Sequence, residues 1–330
     1  MDTLQVERTR KHGMKVVHGL EGLGSGLARS VLTIGNFDGV HRAHARLVAR
    51  ARQLAAGSDT PVVVLTFDPH PSSIVAPSKT PPRLMPIDQR VKYLEQAGAN
   101  MVVIARSNTS LLGMEAEVFI ADIITGLFHP THIVEGPSFG FGRGRKGNAE
   151  LLHTVAGRFG FQVDIVDPMM IELENDNLMI SSSLIRSLLI SGKVSQAAAC
   201  LGRSYTLVGR VVEGERRGRT IGFPTANLAV EDQLIPGDGV YAGRAHVDDD
   251  IHSAAISVGN KATFGEREQA VEAHLLDFDG DLYGHSIGLE FNRRLRDQQA
   301  FDSTDALTAQ LRRDVVETRR THDAHQATTP

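Results

Sequence analysis

Residues 31–44 read Val-Leu-Thr-Ile-Gly-Asn-Phe-Asp-Gly-Val-His-Arg-Ala-His, and they decide the fold of the first half of the chain. The β-branched run at 31–34 predicts a strand that breaks at Gly35, and the apolar spacing that follows predicts a helix. A tight turn through Asp38 and Gly39 joins the two. The N–H groups at a helix start lack intrahelical partners, and the helix dipole adds partial positive charge there. The stretch therefore predicts an anion site, and phosphate is its natural ligand.

Two histidines, His41 and His44, lie three residues apart at the start of this predicted helix. Residues at this spacing share a face of a helix, so both imidazoles can donate a hydrogen bond to one phosphate. Capping of the helix and solvation of its surface are the alternative explanation. The spacing alone leaves both interpretations open.

The composition is that of an ordinary globular protein with two domains. The chain has 330 residues, of which 41% are hydrophobic and 22% are charged, so it can bury a full core. A formal net charge of −4 argues against a general nucleic-acid binder. The single cysteine, Cys200, excludes a disulfide framework and fits a reducing cytoplasm. No apolar run approaches the ~20 residues of a membrane span, so we expect a cytoplasmic protein without a membrane partner.

Strand and helix patterns alternate through the first half of the chain. The predicted strands are 14–18 (at a sheet edge), 31–34, 61–67, 101–105, 132–135 and 162–166, and the predicted helices are 41–56, 86–98 and 114–127. This alternation predicts a Rossmann-like, doubly wound parallel sheet. The strand at 61–67 runs into Asp-Pro-His-Pro, and loops at the carboxyl ends of such strands bind ligands. His70 is therefore either a ligand contact or a turn residue.

Two further segments of the first half carry polar chemistry. Residues 136–147 read Gly-Pro-Ser-Phe-Gly-Phe-Gly-Arg-Gly-Arg-Lys-Gly, whose cations can hold an anion and whose Phe139 or Phe141 can cover a planar ring. A flexible, solvated loop is the alternative. Residues 180–186 read Ile-Ser-Ser-Ser-Leu-Ile-Arg and start a helix, where hydroxyls cap N–H groups or bind phosphate oxygens close to Arg186.

The periodicity changes near Arg203, where we place a domain boundary. Short alternating segments follow, separated by Gly, Asp and Asn clusters, as in a small antiparallel barrel. The predicted strands are 205–212, 240–247, 252–258, 271–277 and 286–291, followed by a helix at 303–321 on the barrel and a frayed end at 322–330. The predicted fold class is α/β followed by β, with domains at 1–202 and 203–322 and a flexible tail at 323–330.

The first-half motifs resemble the prokaryotic bifunctional riboflavin kinase/FMN adenylyltransferases, or FAD synthetases. Residues 35–44 are similar to the nucleotidyltransferase signature of that family, but Ala43 replaces a glycine, and its methyl group can crowd the nucleotide. The segment around His70 is similar to Thr-Phe-x-Pro-His-Pro. Ser138 departs from the Asp or Asn of the family's flavin segment, and Ser183 replaces a threonine in its Ser-Ser-Thr-x-Ile-Arg element.

The resemblance implies a role for each of these residues. It implies catalytic roles for His41, His44 and Arg186, nucleotide or phosphate binding by Gly35, Asn36, Phe37, Asp38, Gly39, Ser181, Ser182 and Ser183, and flavin binding by His70, Ser138, Phe139 and Phe141. The implied reaction is attack of the FMN phosphate on the α-phosphorus of ATP, with pyrophosphate leaving. No general base is needed, because the nucleophile is already an anion and the work is positioning and charge neutralisation.

The second half resembles the riboflavin kinase half of the same family. Residues 218–228 read Gly-Arg-Thr-Ile-Gly-Phe-Pro-Thr-Ala-Asn-Leu, which by composition is only a glycine-punctuated loop leading into an edge strand. Phe-Pro-Thr-Ala-Asn matches the kinase signature, which implies Mg²⁺ on Thr225 and Asn227. Further similar segments lie at 236–243, 259–265, 271–277 and 281–284. By resemblance, Glu272 takes the proton from the riboflavin 5′-hydroxyl, Gly218, Thr220 and Gly222 bind the nucleotide, and Arg296 lies near the flavin.

The resemblance implies a two-step enzyme that phosphorylates riboflavin to FMN and then adenylylates FMN to FAD. Its implied ligands are riboflavin, FMN, FAD, ATP and ADP, with Mg²⁺ and without a redox cofactor, a nucleic acid or a membrane; the oligomeric state is left open. One alternative is a monofunctional riboflavin kinase whose first domain only binds nucleotide or flavin, as Ala43 and Ser138 suggest. The other is a non-enzymatic flavin sensor, against which Asn227 and Glu272 argue.

Overall fold

The computed structural model describes residues 13–214, 217–262 and 267–328. The chain forms two compact units, of which the first contains Ile87–Ile180 and the chain before Pro82. The second contains Pro82–Pro86 and the chain from Ser181 onward. Residues 263–265 of the predicted 259–265 motif, and residues 329–330 of the predicted tail, lie outside the described residues.

The first unit is built on a six-stranded parallel sheet in the order β1-β4-β3-β2-β5-β8. The strands of this unit are β1 (Lys15–His18), β2 (Ser30–Ile34), β3 (Val62–Asp68), β4 (Met101–Arg106), β5 (Pro130–Glu135), β6 (Gly140–Phe141), β7 (Gly147–Asn148), β8 (Gln162–Ile165), β9 (Met170–Leu173) and β10 (Asp176–Met179). Every residue of β2 is buried, as are the first five of β3. Burial on both faces explains why these strands are continuous apolar runs. The predicted doubly wound sheet, with β1 at its edge, is confirmed.

Helices flank this sheet. They are α1 (Arg42–Ala55), α2 (Pro71–Val75), α3 (Ile87–Ala97), α4 (Thr109–Leu112), α5 (Ala116–Val118) and α6 (Ala149–Phe159), with a π-helix at Phe119–Phe128 and 3₁₀ turns at Leu20–Leu23, Pro77–Lys79 and Arg143–Arg145. The π-helix and α6 pack on one sheet face against Leu32, Ile34 and Ile133. On the same sheet, α1 contacts β2, β3 and β5.

The helix predicted at 114–127 is confirmed, but most of it is not α-helical. The chain instead forms the short α5, which continues as the π-helix to Phe128. The buried residues of the π-helix are Phe119, Ile120, Ile123, Ile124 and Phe128. They recur every four to five positions, which suits i→i+5 hydrogen bonding better than the α-helical period of 3.6.

The second unit is a closed antiparallel barrel in the order β11-β12-β15-β14-β13-β16. Its strands are β11 (Tyr205–Val212), β12 (Ala226–Ala229), β13 (Gly239–Val247), β14 (Asp250–Ala262), β15 (Arg267–Leu275) and β16 (Ser286–Arg296), and its helices are α7 (Ser182–Ile190), α8 (Val194–Leu201), α9 (Arg217–Thr220) and α10 (Thr304–Thr328). The barrel was predicted, but the prediction of an edge strand after Pro224 is wrong. β12 pairs with both β11 and β15, because closure removes edges.

The ends of the second unit also differ in detail from the sequence prediction. Helix α10 packs on β13, β14 and β16 and runs to Thr328, so residues 322–328 are helical where a frayed end was expected. Cys200 is fully buried in α8, as its apolar neighbours predicted. Among the residues that the structure describes, no helix is long and apolar enough to cross a membrane.

The segment Pro82–Pro86 is part of the core of the second unit. Leu84 and Met85 are 1% and 3% exposed. The Leu84 carbonyl accepts a hydrogen bond from Nε2 of Gln233 at 3.2 Å, and the Arg83 carbonyl accepts one from Leu234 N–H at 2.8 Å. Five residues from early in the sequence therefore belong structurally to the barrel unit.

Candidate functional site

The predicted anion site lies at the point where the strand order of the parallel sheet reverses. From β2 the chain moves through β3 to β4 on one side, whereas β5 and β8 lie on the other side. Open α/β sheets bind ligands outside the carboxyl ends of their strands at such a switch point. β2 ends at Ile34, and residues 35–41 lead from there into α1.

His41 and His44 lie together at the start of α1. His41 is the N-cap, and its Nδ1 accepts a hydrogen bond from the His44 N–H at 3.3 Å. In a neutral His41 ring the proton therefore sits on Nε2, which makes that atom the donor. The two rings stack with centroids 3.6 Å apart. The spacing correctly predicted that the two histidines lie together. His41 caps the helix through Nδ1, and in the neutral ring its Nε2 carries the proton.

The turn before α1 has an unusual backbone. Phe37 and Val40 have φ values of 48° and 35°, and Gly39 has a φ of 89°. The Phe37 side chain is 1% exposed, and its ring lies 5.0 Å from that of His44. Positive φ at non-glycine residues is tolerated where surrounding structure enforces it, often at functional sites. The Phe37 ring thus packs against His44, and a nucleotide contact of Phe37 stays a prediction.

Asn36 and His70 meet across the ends of β2 and β3. The Asn36 Nδ2 atom lies 2.9 Å from Nε2 of His70, and Nδ1 of His70 accepts from Ser72 N–H at 3.1 Å. Thr66 Oγ1 donates to the Asn36 carbonyl at 3.1 Å, and Nη1 of Arg90 lies 3.3 Å from Thr66 Oγ1. Arg90 is 2% exposed. Sequence analysis missed it, because an arginine in an amphipathic helix is normally a surface charge.

The predicted flavin loop after β5 places its two aromatic rings differently. Phe141 is 7% exposed and packs 5.6 Å from Phe119 in the core, whereas Phe139 is half-buried and stacks on Phe141 at 5.3 Å. Phe139 is therefore the better placed of the two to cover a ring. Ser138 is exposed, and its carbonyl accepts from Nη2 of Arg145 at 3.1 Å.

The serine-rich element lies at the start of α7 and belongs to the second unit. Ser181 is the N-cap of α7, and its Oγ accepts from the Leu184 N–H at 3.2 Å. Ser182 and Ser183 form the first positions of α7. Arg186 donates from Nε to the Pro82 carbonyl at 2.8 Å. Ser181 is thus a helix cap, which the sequence pattern had left as one possibility, and the hydroxyls of Ser182 and Ser183 belong to the first turn of α7.

In the barrel, Asn227 and Glu272 are direct partners on neighbouring strands β12 and β15. Residues in such pairs have Cβ atoms about 5 Å apart. Val271 and Ala273 are 1% and 0% exposed, so Glu272 alternates to the outer face of the strand. Thr225 lies two positions before Asn227. The structure therefore brings the predicted base and a predicted metal ligand side by side.

A compact loop leads into this pair. The Gly218 carbonyl accepts from the Phe223 N–H at 2.8 Å, and a Cβ on Gly218 would lie 2.2 Å from the Phe223 carbonyl oxygen. Gly222 has a φ of 84°, which favours glycine. His274 Nδ1–H donates to the Pro224 carbonyl at 2.8 Å, and its ring meets Phe223 edge-on at 5.4 Å. His274, which the sequence analysis did not single out, thus fixes the loop that carries Thr225.

The donors of the barrel site fit Mg²⁺. Within the described part of the chain, no cluster of three or more His, Cys, Asp or Glu could hold a metal. Mg²⁺ is usually bound by one or two protein oxygens together with substrate phosphates, so Thr225 and Asn227 suffice. A Cβ on Gly214 would lie 2.2 Å from Nδ2 of Asn227. This glycine therefore leaves the space that the Asn227 side chain occupies.

Arg296, predicted near the flavin, is paired with Asp314 of α10. Its Nε and Nη2 donate to the two carboxylate oxygens at 3.1 and 2.7 Å. The side chains are 17% and 5% exposed. This pair ties α10 to β16, and a flavin contact of Arg296 stays a prediction.

Known families match both halves of the chain. The FAD synthetase family model matches residues 25–184, and the riboflavin kinase family model matches residues 201–322. A solved structure described as a macrolide-efflux protein from Streptococcus pneumoniae has a TM-score of 0.81 at 30% identity, covering 92% of this chain and 98% of that one.

Curated relatives match along nearly their whole length. Bifunctional riboflavin kinase/FMN adenylyltransferases are 34% identical in Haemophilus influenzae, over 92% of this chain and 97% of the relative, and 33% identical in Bacillus subtilis, over 88% and 92%. The Escherichia coli K12 protein of the same name is 33% identical over 93% and 97%. The chain belongs to the family of bifunctional riboflavin kinase/FMN adenylyltransferases.

Proposed function

We propose that residues 1–202 carry the FMN adenylyltransferase and residues 203–322 the riboflavin kinase. The chain contains both enzymatic domains of its family and is a two-step enzyme of FAD synthesis. The boundaries of the two family models support this division. The substrates are riboflavin, FMN and ATP, and FAD is the final product.

In the kinase, Glu272 takes the proton of the riboflavin 5′-hydroxyl, which is a poor nucleophile without a base. Thr225 and Asn227 hold Mg²⁺, which neutralises charge on the ATP phosphates. Gly218, Thr220 and Gly222 contact the nucleotide from the loop that His274 fixes. The observation that carries this proposal is the direct pairing of Asn227 with Glu272. A base beside a metal ligand supports a site where the alcohol and the ATP phosphates would meet.

In the adenylyltransferase, the FMN phosphate attacks the α-phosphorus of ATP and pyrophosphate leaves. His41 and His44 donate hydrogen bonds to phosphoryl oxygens, with Nε2 as the donor of His41. The backbone of residues 35–39 and the first turn of α1 bind phosphate at the switch point. His70, Ser138 and Phe139 bind the flavin.

The two alternatives are not favoured. A monofunctional kinase and a flavin sensor both require a first domain without transferase activity. The family model and the bifunctional relatives cover that domain as well as the barrel. Ala43 lies in the first turn of α1, where its methyl group can crowd the nucleotide. Substitution by glycine tests this crowding.

Two variants test which domain catalyses which reaction. In each variant, the activity of the unchanged domain is the control. Glu272→Gln should stop FMN formation from riboflavin and ATP but still convert added FMN to FAD. His44→Asn should do the reverse, so that FMN accumulates from riboflavin without FAD. Chromatography of the flavins measures both outcomes. Loss of both activities in either variant, with the fold intact by circular dichroism, would contradict the assignment.

A further inference from the structure

A buried carboxyl group lies at the switch point of the parallel sheet. Glu135 is the last residue of β5 and is 2% exposed. Its Oε1 accepts a hydrogen bond from the Ile34 N–H at 2.6 Å. In the described part of the chain, Oε2 of Glu135 has no hydrogen-bond partner. Oε2 is not among the fully enclosed side-chain atoms that lack a partner, so it keeps some contact with solvent.

The position of Glu135 follows from the way β2 and β5 part. The last paired residues of the two strands are Leu32 and Ile133, and Ile34 lies two residues beyond this pair. The Ile34 N–H consequently has no carbonyl of β5 opposite it, and Oε1 of Glu135 takes that place. Glu135 thus lies at the carboxyl ends of β2 and β5, next to the turn at 35–41, and ligands of such sheets bind outside these strand ends.

The surroundings disfavour the charged form of this group. Burial raises the pKa of Glu135 well above its usual value, and the Ile34 N–H offsets this only in part. The sheet face that Glu135 shares with Ile133 is covered by apolar side chains of the π-helix and α6. The charged side chains of those two helices, Asp122, Glu150, His153 and Arg158, are exposed, and His132 and Asp164 alternate to the opposite face of β5 and β8. Beyond the strand ends lie Asp38, His41 and His44 on the β2 side and Arg143, Arg145 and Lys146 on the β5 side.

The state of this carboxyl decides what it can do at these strand ends. A carboxylate would repel the phosphates that the start of α1 attracts, and it can only accept hydrogen bonds. A carboxylic acid can accept from Ile34 through Oε1 and donate through Oε2 at the same time. The ligand seated on the turn at 35–41 is the group that such a donor would meet.

We propose that Glu135 acts as a carboxylic acid that binds ATP for adenylyl transfer, donating a hydrogen bond from Oε2 to a neutral acceptor on the ribose or the base. This rests on the proposed placement of ATP at the switch point. Glu135 is then a determinant of ATP affinity in the first domain, separate from the phosphate contacts of His41 and His44.

The pH dependence of the KM for ATP separates this role from a purely structural one. Ionised Glu135 accepts from Ile34 at least as well as the acid does, so a structural role predicts no loss of affinity at high pH. A donor role predicts that the KM for ATP of the FMN-to-FAD reaction rises by about tenfold as Glu135 ionises. Glu135→Gln keeps both an acceptor and a donor at every pH and should show no such rise.

The riboflavin kinase activity of the same samples is the internal control, because it reports the ionisation of ATP itself and the integrity of the chain. Identical pH profiles of the KM for ATP in the wild type and Glu135→Gln would overturn the proposal. So would a rise confined to the KM for FMN. A wild type that forms no FAD at any pH would instead refute the proposed function of the first domain, and that result is recognisable before any variant is made.

Discussion

Asp314→Asn should destabilise the barrel unit substantially. Asp314 accepts from Nε and Nη2 of Arg296 at 3.1 and 2.7 Å, and Nε2 of Gln310 donates to it at 2.8 Å. The substitution removes the charge and turns an amide donor toward a guanidinium that is only 17% exposed. Breaking a buried pair from one side costs 3–5 kcal/mol, and partial hydration of Arg296 places the loss near the lower end, at about 3 kcal/mol. For a unit of this size, the midpoint of thermal unfolding should fall by roughly 10 °C.

Asp277→Asn is the matched control, because Arg319 of the same helix α10 contacts Asp277 at 2.7 and 2.8 Å in an exposed pair. Exposed pairs contribute little, so this variant should unfold like the wild type. Thermal and urea denaturation followed by circular dichroism, together with riboflavin kinase assays at 20 °C, measure both variants. Asp314→Asn with unchanged stability would refute the reasoning. A raised KM for riboflavin without destabilisation would show that Arg296 serves the flavin instead of α10.

Three further predictions concern single positions. Gly214→Ala should push the Asn227 side chain aside and lower riboflavin phosphorylation about a hundredfold, with FMN adenylylation unchanged; normal kinase activity would show that Asn227 needs no such space. Ala43→Gly should lower the KM for ATP in adenylyl transfer, and an unchanged value would exclude crowding. Burial raises the pKa of Glu290, but His246 and Arg244 more than offset this, so its pKa lies below the ordinary 4.5. The stabilisation that comes from this lowered pKa is present above about pH 4.5 and is lost as the pH falls through the pKa of Glu290 in the folded protein. The stability of Glu290→Gln should therefore depend less on pH below about 4.5. An acid unfolding transition equal to that of the wild type would contradict this.

The sequence predicted most strands because burial leaves a pattern in it. β2 and β3 are continuous apolar runs, as strands buried on both faces must be. The alternation of β11 likewise follows from one face lining the barrel. What sequence patterns did not show depends on packing across the chain, such as the closure that gives β12 two neighbours or the inclusion of Pro82–Pro86 in the second unit.

The candidate sites divide in the same way. Local spacing predicted that His41 and His44 lie together, because both belong to one turn of helix. The pairing of Asn227 with Glu272 depends on the register of two strands distant in sequence, and the family resemblance indicated only that both residues serve one reaction. Glu135 carried no signal beyond a charge at the end of an apolar strand, since its importance arises where β2 and β5 part.

Labelled ATP tests the two-reaction account most directly. The purified chain is incubated with riboflavin, Mg²⁺ and ATP labelled with ³²P at either the γ or the α position, and the flavins are separated. We predict that γ-label enters FMN and persists in FAD, whereas α-label enters FAD alone. A chain that transfers γ-label to FMN but never α-label to a flavin would contradict the account, because its first domain would then not be a transferase.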